Sequence, residues 1–217
     1  MMDFQAARIK MVENQIRTTD VTAHSVLQAF LAVPREAFVP DALKPLAYID
    51  EDMQVAPGRY VMEPSPLAKL LQLAAIGKDD VVLEIGSGAG YATALLSQLA
   101  GSVVAVESDE DLSARASANL SALGFDNVAV VTGPLEAGYP SEAPYDVIFI
   151  NGAVESVPPA LIEQLREGGR LIAVVGYGNA SRASIYTRTG DAASRTEYFN
   201  TAIKPLPGFR KEAQFVF

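Results

Sequence analysis

Between residues 78 and 176, continuous apolar runs alternate with amphipathic stretches. The runs at 81–85, 103–107, 127–132, 145–150 and 170–176 do not alternate polar with apolar, the pattern of strands covered on both faces. Between them, 91–99 reads as a helix. A second helix follows Asp109, its N-cap, with Leu112, Ala116, Leu120 and Leu123 in register and Gly124 after its end. Pro158-Pro159 opens a third, which Gly168-Gly169 closes. Strand–helix alternation predicts an α/β fold with a doubly wound, mostly parallel sheet. Two further apolar stretches, about 183–189 and 197–203, flank Gly190-Asp191 and predict an antiparallel hairpin at one sheet edge.

The first 77 residues have a different texture, helical in period and punctuated by proline. Asp3 caps a helix running to about Thr18. Val26, Leu27, Phe30 and Leu31 form one buried stripe, which Pro34 stops. A loop containing Pro40, Pro45, Pro57 and Gly58 follows. Ser65-Pro66 reads as a cap followed by a first-turn proline, with Leu67, Leu70, Leu71 and Ala74 as the core face and Gly77 beyond the helix end. The expected organisation is an extension, 1–77, packed on a core domain, 78–217, as one structural unit.

Composition removes several kinds of chemistry. The chain has 217 residues, no cysteine and one histidine. Disulfides, thiolate nucleophiles and cysteine or histidine metal clusters are therefore excluded, and no metal site is expected. His24 reads as a partly exposed helix residue. The net charge is −9, and the nearest basic run, Arg166 to Arg170, is broken by Glu167 and two glycines, so nucleic acid is not an expected partner. No apolar run reaches about 18 residues and the N-terminus lacks a basic, then apolar, leader. A cytoplasmic protein without membrane attachment is expected, and no oligomeric state can be read.

The candidate chemistry begins at Gly86-Ser-Gly-Ala-Gly90, directly after the run 81–85. A glycine turn between a strand and a helix lets backbone amides approach a nucleotide-like ligand. A dinucleotide loop requires a small residue five places after its first glycine, and here that place is Tyr91. The spacing, with Glu84 two residues ahead, reads instead as a loop for S-adenosylmethionine (SAM), with Ser87 and Tyr91 among its flanking residues. Glu84 is placed to reach the ligand's ammonium through a water. Glu107 ends the next strand, about 20 residues on, where an acid accepts both ribose hydroxyls. Asn151 ends the 145–150 strand and stands either beside the reacting centre or as a turn former. No nucleophile–base pair is evident, and methyl transfer from a sulfonium to an ionised carboxylate needs none.

Five segments carry a resemblance to the protein-L-isoaspartate O-methyltransferase family: Met11-Val-Glu-Asn-Gln-Ile16, Val33-Pro-Arg-Glu-Ala-Phe-Val-Pro40, Ala47-Tyr-Ile-Asp50, Val82-Leu-Glu-Ile-Gly-Ser-Gly-Ala-Gly-Tyr91 and Gln164-Leu-Arg-Glu-Gly-Gly-Arg-Leu171. The resemblance implies a Rossmann-like class I methyltransferase fold. It also implies SAM as cofactor, S-adenosylhomocysteine as product, and methylation of the isoaspartyl carboxylate of damaged proteins, or of a related small acidic acceptor. The chain departs from the family pattern in two places. The family's substrate loop resembles Gly-Gln-Thr-Ile-Ser-Gln-Pro, and here it is Gly58-Arg-Tyr-Val-Met-Glu-Pro64. Tyr60, Met62 and Glu63 thus take the acceptor-side positions. Methionine donates no hydrogen bond, Glu63 adds a like charge near an acidic acceptor, and Arg59 is placed to offset it. After the third strand the family has Gly-Asp-Gly, whose acid meets adenine. Here Pro134 and Leu135 follow Gly133, leaving the Leu135 amide for that contact. These replacements predict weak or absent isoaspartyl turnover. They leave open an altered relative that binds SAM weakly and acts on another acceptor, or serves as an interaction module.

Overall fold

A computed structural model describes residues 3–210. Helix α1, Phe4–Met11, starts on the Asp3 carboxylate, which accepts from the Ala6 amide at 3.0 Å. The helical path continues through a π turn, Val12–Ile16, and a 3-10 turn, Arg17–Thr19, before Asp20 breaks it at φ 65°. Helix α2 spans His24–Ala32 and buries Val26, Leu27, Ala29 and Phe30. His24 is exposed at its first position.

The expected loop after Pro34 is more ordered than its prolines suggest. Two 3-10 segments, Arg35–Phe38 and Asp41–Leu46, lead into a small antiparallel hairpin of β1, Met53–Ala56, and β2, Arg59–Val61. Helix α3, Pro64–Ala74, buries the expected Leu67, Leu70, Leu71 and Ala74. Its boundaries differ from the sequence expectation at both ends. Pro64 supplies the first-turn proline, and Ser65 is no cap because its amide and hydroxyl both donate to Asp50. At the other end Ala75, not Gly77, takes the left-handed position, at φ 48°.

The main sheet has the order β5-β4-β3-β6-β7-β8-β9. Its strands are β3 Val81–Ile85, β4 Ser102–Glu107, β5 Val128–Thr132, β6 Tyr145–Val154, β7 Leu165–Val175, β8 Arg182–Thr189 and β9 Ala192–Asn200. The first five are parallel, and β8 and β9 form the expected antiparallel edge hairpin, with β9 at Ala192–Asn200 rather than about 197–203. Helices α4, Tyr91–Leu99, and α5, Glu110–Ala122, follow β3 and β4, and α5 is capped by Asp109.

The expected helix from Pro158 to Gly168 shrinks to one turn, α6, Pro159–Ile162. The glycine pair marks a register shift at the start of β7, between Tyr145 and Val147 of β6, rather than a helix end. Gly169 lies so close to the backbone there that a Cβ would stand 2.9 Å from the Arg166 carbonyl oxygen. A C-cap glycine and a bulge glycine look alike in sequence.

The two faces of the sheet are covered unequally. One face packs Val82, Val103, Val147 and Phe149 against α1 through α5 in a single cluster, so the segment before residue 78 shares its core with the sheet. The other face carries Leu83, Ile85, Val106, Ile148 and Ile150, covered by α6, short helical turns and the chain's end through Leu206 and Phe209. The cover is thus made of longer helices on one side and of one short helix, helical turns and a tail segment on the other. On the second face the tail packs through Leu206 against Gly86, which follows β3, and Gly152 of β6.

Candidate active site

The strand order reverses between β3 and β6, and the carboxyl ends of these strands are where open parallel sheets bind ligands. The glycine loop stands there. Gly86, Gly88 and Gly90 take φ values of 86°, 56° and 97°, so the turn uses the left-handed conformation that glycine alone adopts cheaply. The loop is fastened to β4, whose Val106 carbonyl accepts from the Gly86 amide at 2.8 Å and the Ser87 amide at 3.3 Å.

Glu107, at the end of β4, is fully buried and saturated with donors. The amides of Gly88 (2.7 Å), Ser108 (2.8 Å) and Asp109 (3.1 Å) donate to its carboxylate. The Arg59 guanidinium closes on it from β2, with Nη2 at 2.6 Å from Oε2 and Nη1 donating to Oε1. This corrects the expected role of Arg59, whose charge is spent on Glu107 rather than held against Glu63.

Glu84 is also fully buried, on the opposite face of β3 from Leu83 and Ile85. Its carboxylate accepts from Thr93 Oγ1 of α4 at 2.5 Å and from Asn151 Nδ2 of β6 at 3.0 Å. Asn151 therefore sits inside a strand that runs on to Val154, rather than in a turn. Burial pushes the Glu84 carboxyl up to about 7. A carboxyl raised in the folded state binds its proton more tightly there than in the unfolded chain. Stability from this group is therefore complete below the unfolded value near 4.5 and is lost as pH rises toward 7. Urea unfolding between those limits is expected to show a falling midpoint, with a total loss on the order of 3 kcal/mol. Glu84→Gln should flatten that dependence; an unchanged slope with pH would assign it to other groups.

The substrate-loop positions lie together. Tyr60 is half-buried in β2, Met62 is buried, and Glu63 is half-buried at the start of α3. The Met62 carbonyl accepts from Arg35 Nη1 at 2.7 Å, and the Glu63 amide donates to Asp52 Oδ1 at 3.0 Å. Burial, with Asp52 and Asp50 nearby, pushes the Glu63 carboxyl up to about 7; Lys204 and Arg35 are the cations that oppose this. Tyr91 begins α4, with its ring against Phe30 and Phe38 and the Arg35 guanidinium 5.0 Å above it. Leu135 is buried in the second-face cluster, and Pro134 precedes its 3-10 turn.

Among the residues of this site not singled out from the sequence are Arg35, Asp50, Thr93 and Leu206. Arg35 and Asp50 sit inside the quoted leader segments, so their signal was the motif itself. Thr93 follows the loop on α4, one helical turn from Gly90, a placement that could have flagged it. Leu206 had no signal, being one apolar residue in a proline-rich tail. It packs directly on the loop: a Cβ at Gly86 would lie 2.6 Å from its Cδ1, and one at Gly152 would lie 3.0 Å from its Cβ.

The sequence model of the "Protein-L-isoaspartate(D-aspartate) O-methyltransferase (PCMT)" family matches residues 6–205. The chain belongs to this family. A protein-L-isoaspartate O-methyltransferase of Koribacter versatilis (strain Ellin345) is 36% identical over 205 residues, covering 94% of this chain and 92% of that protein. One from Methanoculleus marisnigri (strain ATCC 35101 / DSM 1498 / JR1) is 43% identical over 169 residues, 78% of this chain and 77% of that protein. A solved structure titled as a protein-L-isoaspartate O-methyltransferase superposes with a TM-score of 0.80 at 28% identity. It spans 93% of this chain, and this chain spans 66% of it, about two thirds of its length. A Plasmodium falciparum structure, titled as a putative family member in complex with S-adenosyl-L-homocysteine, superposes at 0.78 with 16% identity, covering 95% and 99% of the two chains, and shares the fold. The α/β methyltransferase fold, with its parallel sheet and antiparallel end strands, is thus that of the family. Among the described residues no helix is long and apolar enough to cross a membrane, and no group of three or more acidic or histidine side chains is arranged to hold a metal.

Proposed function

We propose that this protein is a SAM-dependent methyltransferase that esterifies the isoaspartyl carboxylate of protein or peptide acceptors. The observation that carries the reading is the pairing of the Gly86–Gly90 loop with Glu107 at the strand-order switch, in a chain of this family. The donor set suits the cofactor. Glu107 presents a two-oxygen acceptor suited to vicinal hydroxyls, and Ser87 Oγ is buried beside the loop without a hydrogen-bond partner among the described residues. When bound, SAM supplies an electrophilic methyl group.

The chain's own groups then have these roles. Glu107 takes the ribose, while Gly86, Ser87, Gly88 and Gly90 take the polar end of the ligand. The Leu135 amide, beside Pro134, takes adenine, and Tyr91 anchors the loop to the helical face. Glu84 holds Asn151 in place beside the acceptor. Tyr60, Met62 and Glu63 form the acceptor's wall, and Asp50, Asp52 and Arg35 fix that wall from behind. The 1–77 extension thereby serves as the acceptor side of the 78–217 core. An open groove between Tyr60, Lys204, Leu206 and Arg210, about 530 Å³ in volume, leads outward and suits a peptide.

Glu63 need not repel the acceptor. With its carboxyl near 7 it carries a proton for much of the time at neutral pH, and a protonated carboxyl donates to a carboxylate. The test is methyl transfer to an isoaspartyl peptide from about pH 6 to about pH 8, a range that spans that value. Turnover is expected, with KM for the peptide rising as pH climbs through about 7 and Glu63→Gln removing the rise. No transfer to isoaspartyl peptide, with transfer to another acid, would overturn the substrate assignment. The family relatives favour this reading over an altered or non-catalytic relative.

A further inference from the structure

The residues that would hold SAM are all in place, yet the space between them is filled by the chain itself. Arg59 engages both oxygens of Glu107, the atoms that ribose hydroxyls require. Leu206 lies on Gly86, the first residue of the loop. What remains beside Asn151 is a cavity of about 20 Å³ against Arg59, Met62 and Lys204, and a second of about 10 Å³ against Ser87 and Tyr91. Each has room for about one water, whereas small-molecule sites run to several hundred Å³.

Resting on the methyltransferase reading, we propose that Arg59 and Leu206 form an autoinhibitory latch, which the cofactor must displace before it binds. Arg59 comes from the β1–β2 hairpin, which forms a sheet of only two strands. Leu206 comes from a tail segment that meets β6 through an isolated bridge between Pro205 and Ala153, with the Leu206 amide on the Ala153 carbonyl (2.8 Å) and the Ala153 amide on the Lys204 carbonyl (2.9 Å). Each part is thus carried on a short element outside the main parallel strands, the tail being held to β6 by two backbone hydrogen bonds and the burial of Leu206. Lys204 joins them, with its ammonium 5.5 Å above the Tyr60 ring of β2 and 4.0 Å from Asp52. Displacing the tail therefore loosens the hairpin as well.

A ligand that binds only the opened form has its apparent affinity reduced by the fraction of protein that is open. Arg59→Gln removes the guanidinium and leaves three backbone amides on Glu107. In calorimetric titration with S-adenosylhomocysteine this variant is expected to bind at least ~10-fold tighter than the wild type, with Arg59→Lys in between. Equal affinities would overturn the latch and leave the methyltransferase reading standing. Weaker binding by Arg59→Gln would make Arg59 part of the cofactor's own contacts instead. No binding by the wild type, Arg59→Gln or Leu206→Ala would overturn both. A measurement on the unaltered chain covers the case of a variant that fails to fold. Amide hydrogen exchange at Ala153 and Leu206 is expected to speed up at saturating S-adenosylhomocysteine while Gly88 and Asp109 become more protected. Slower exchange at all four would show that the ligand binds with the tail in place.

Discussion

Glu107→Ala is expected to lower the unfolding free energy by about 3–5 kcal/mol, because it strands the Arg59 guanidinium in a buried position without its counter-charge. Three backbone amides lose their acceptor in the same step. The effect on ligand binding is separate and must be measured in a background where the latch is already gone. In the wild-type background the substitution would remove the proposed ligand contact and the proposed competitor together, and the two would partly cancel. In an Arg59→Gln background only the contact is lost. There Glu107→Ala should weaken S-adenosylhomocysteine by about 2–3 kcal/mol, the scale of charge-assisted hydrogen bonds to a diol. Calorimetry on the pair of variants measures it. An affinity that does not change would remove Glu107 from the cofactor site, whatever happened to stability.

Arg35→Ala carries the second large effect. Arg35 is fully buried, and its guanidinium reaches the Met62 carbonyl at 2.7 Å and the Glu51 carbonyl at 3.2 Å while lying over the Tyr91 ring. One side chain thus ties the proposed acceptor wall to the first residue of α4. Truncation leaves a cavity beneath Tyr91 and two carbonyls without their donor, and the expected cost is about 3–5 kcal/mol. The urea midpoint should fall with little change in slope. Arg35→Lys keeps the charge but cannot span both carbonyls, so it should recover only part of the loss. A loss below about 1 kcal/mol for Arg35→Ala would mean that the wall is held by the Asp50 and Asp52 contacts alone.

How much of this was legible in the sequence follows from where the determining contacts lie. The parallel strands and the loop were legible because their signals are local: apolar runs, then glycines forced to positive φ. Glu107 was legible for the same reason, since a fixed spacing within one βαβ unit puts it opposite the loop. Its partner was not. Arg59 lies 48 residues away in sequence, on a three-residue strand whose burial pattern is too short to show a period. The helix expected up to Gly168 failed on an ambiguity of glycine rather than of hydrophobicity. At the start of α3, Pro64 and Pro66 are equally good first-turn prolines, and a distant group settled the choice by engaging Ser65 with Asp50. The arginine in the leader segment was visible as part of a motif, but its work on Met62 and Tyr91 belongs to tertiary packing.

The bond between Asn151 and Glu84 has a chemical consequence for the protein's own ageing. Asparagine followed by glycine is the sequence at which a polypeptide most readily closes to a succinimide and reopens as isoaspartate, and Asn151 is followed by Gly152. Closure requires the Gly152 nitrogen to turn onto the Asn151 side chain. Here that side chain is engaged by Glu84, and the backbone runs inside a strand. The sheet thereby shields, at the heart of the site, the lesion that the proposed activity repairs in other proteins.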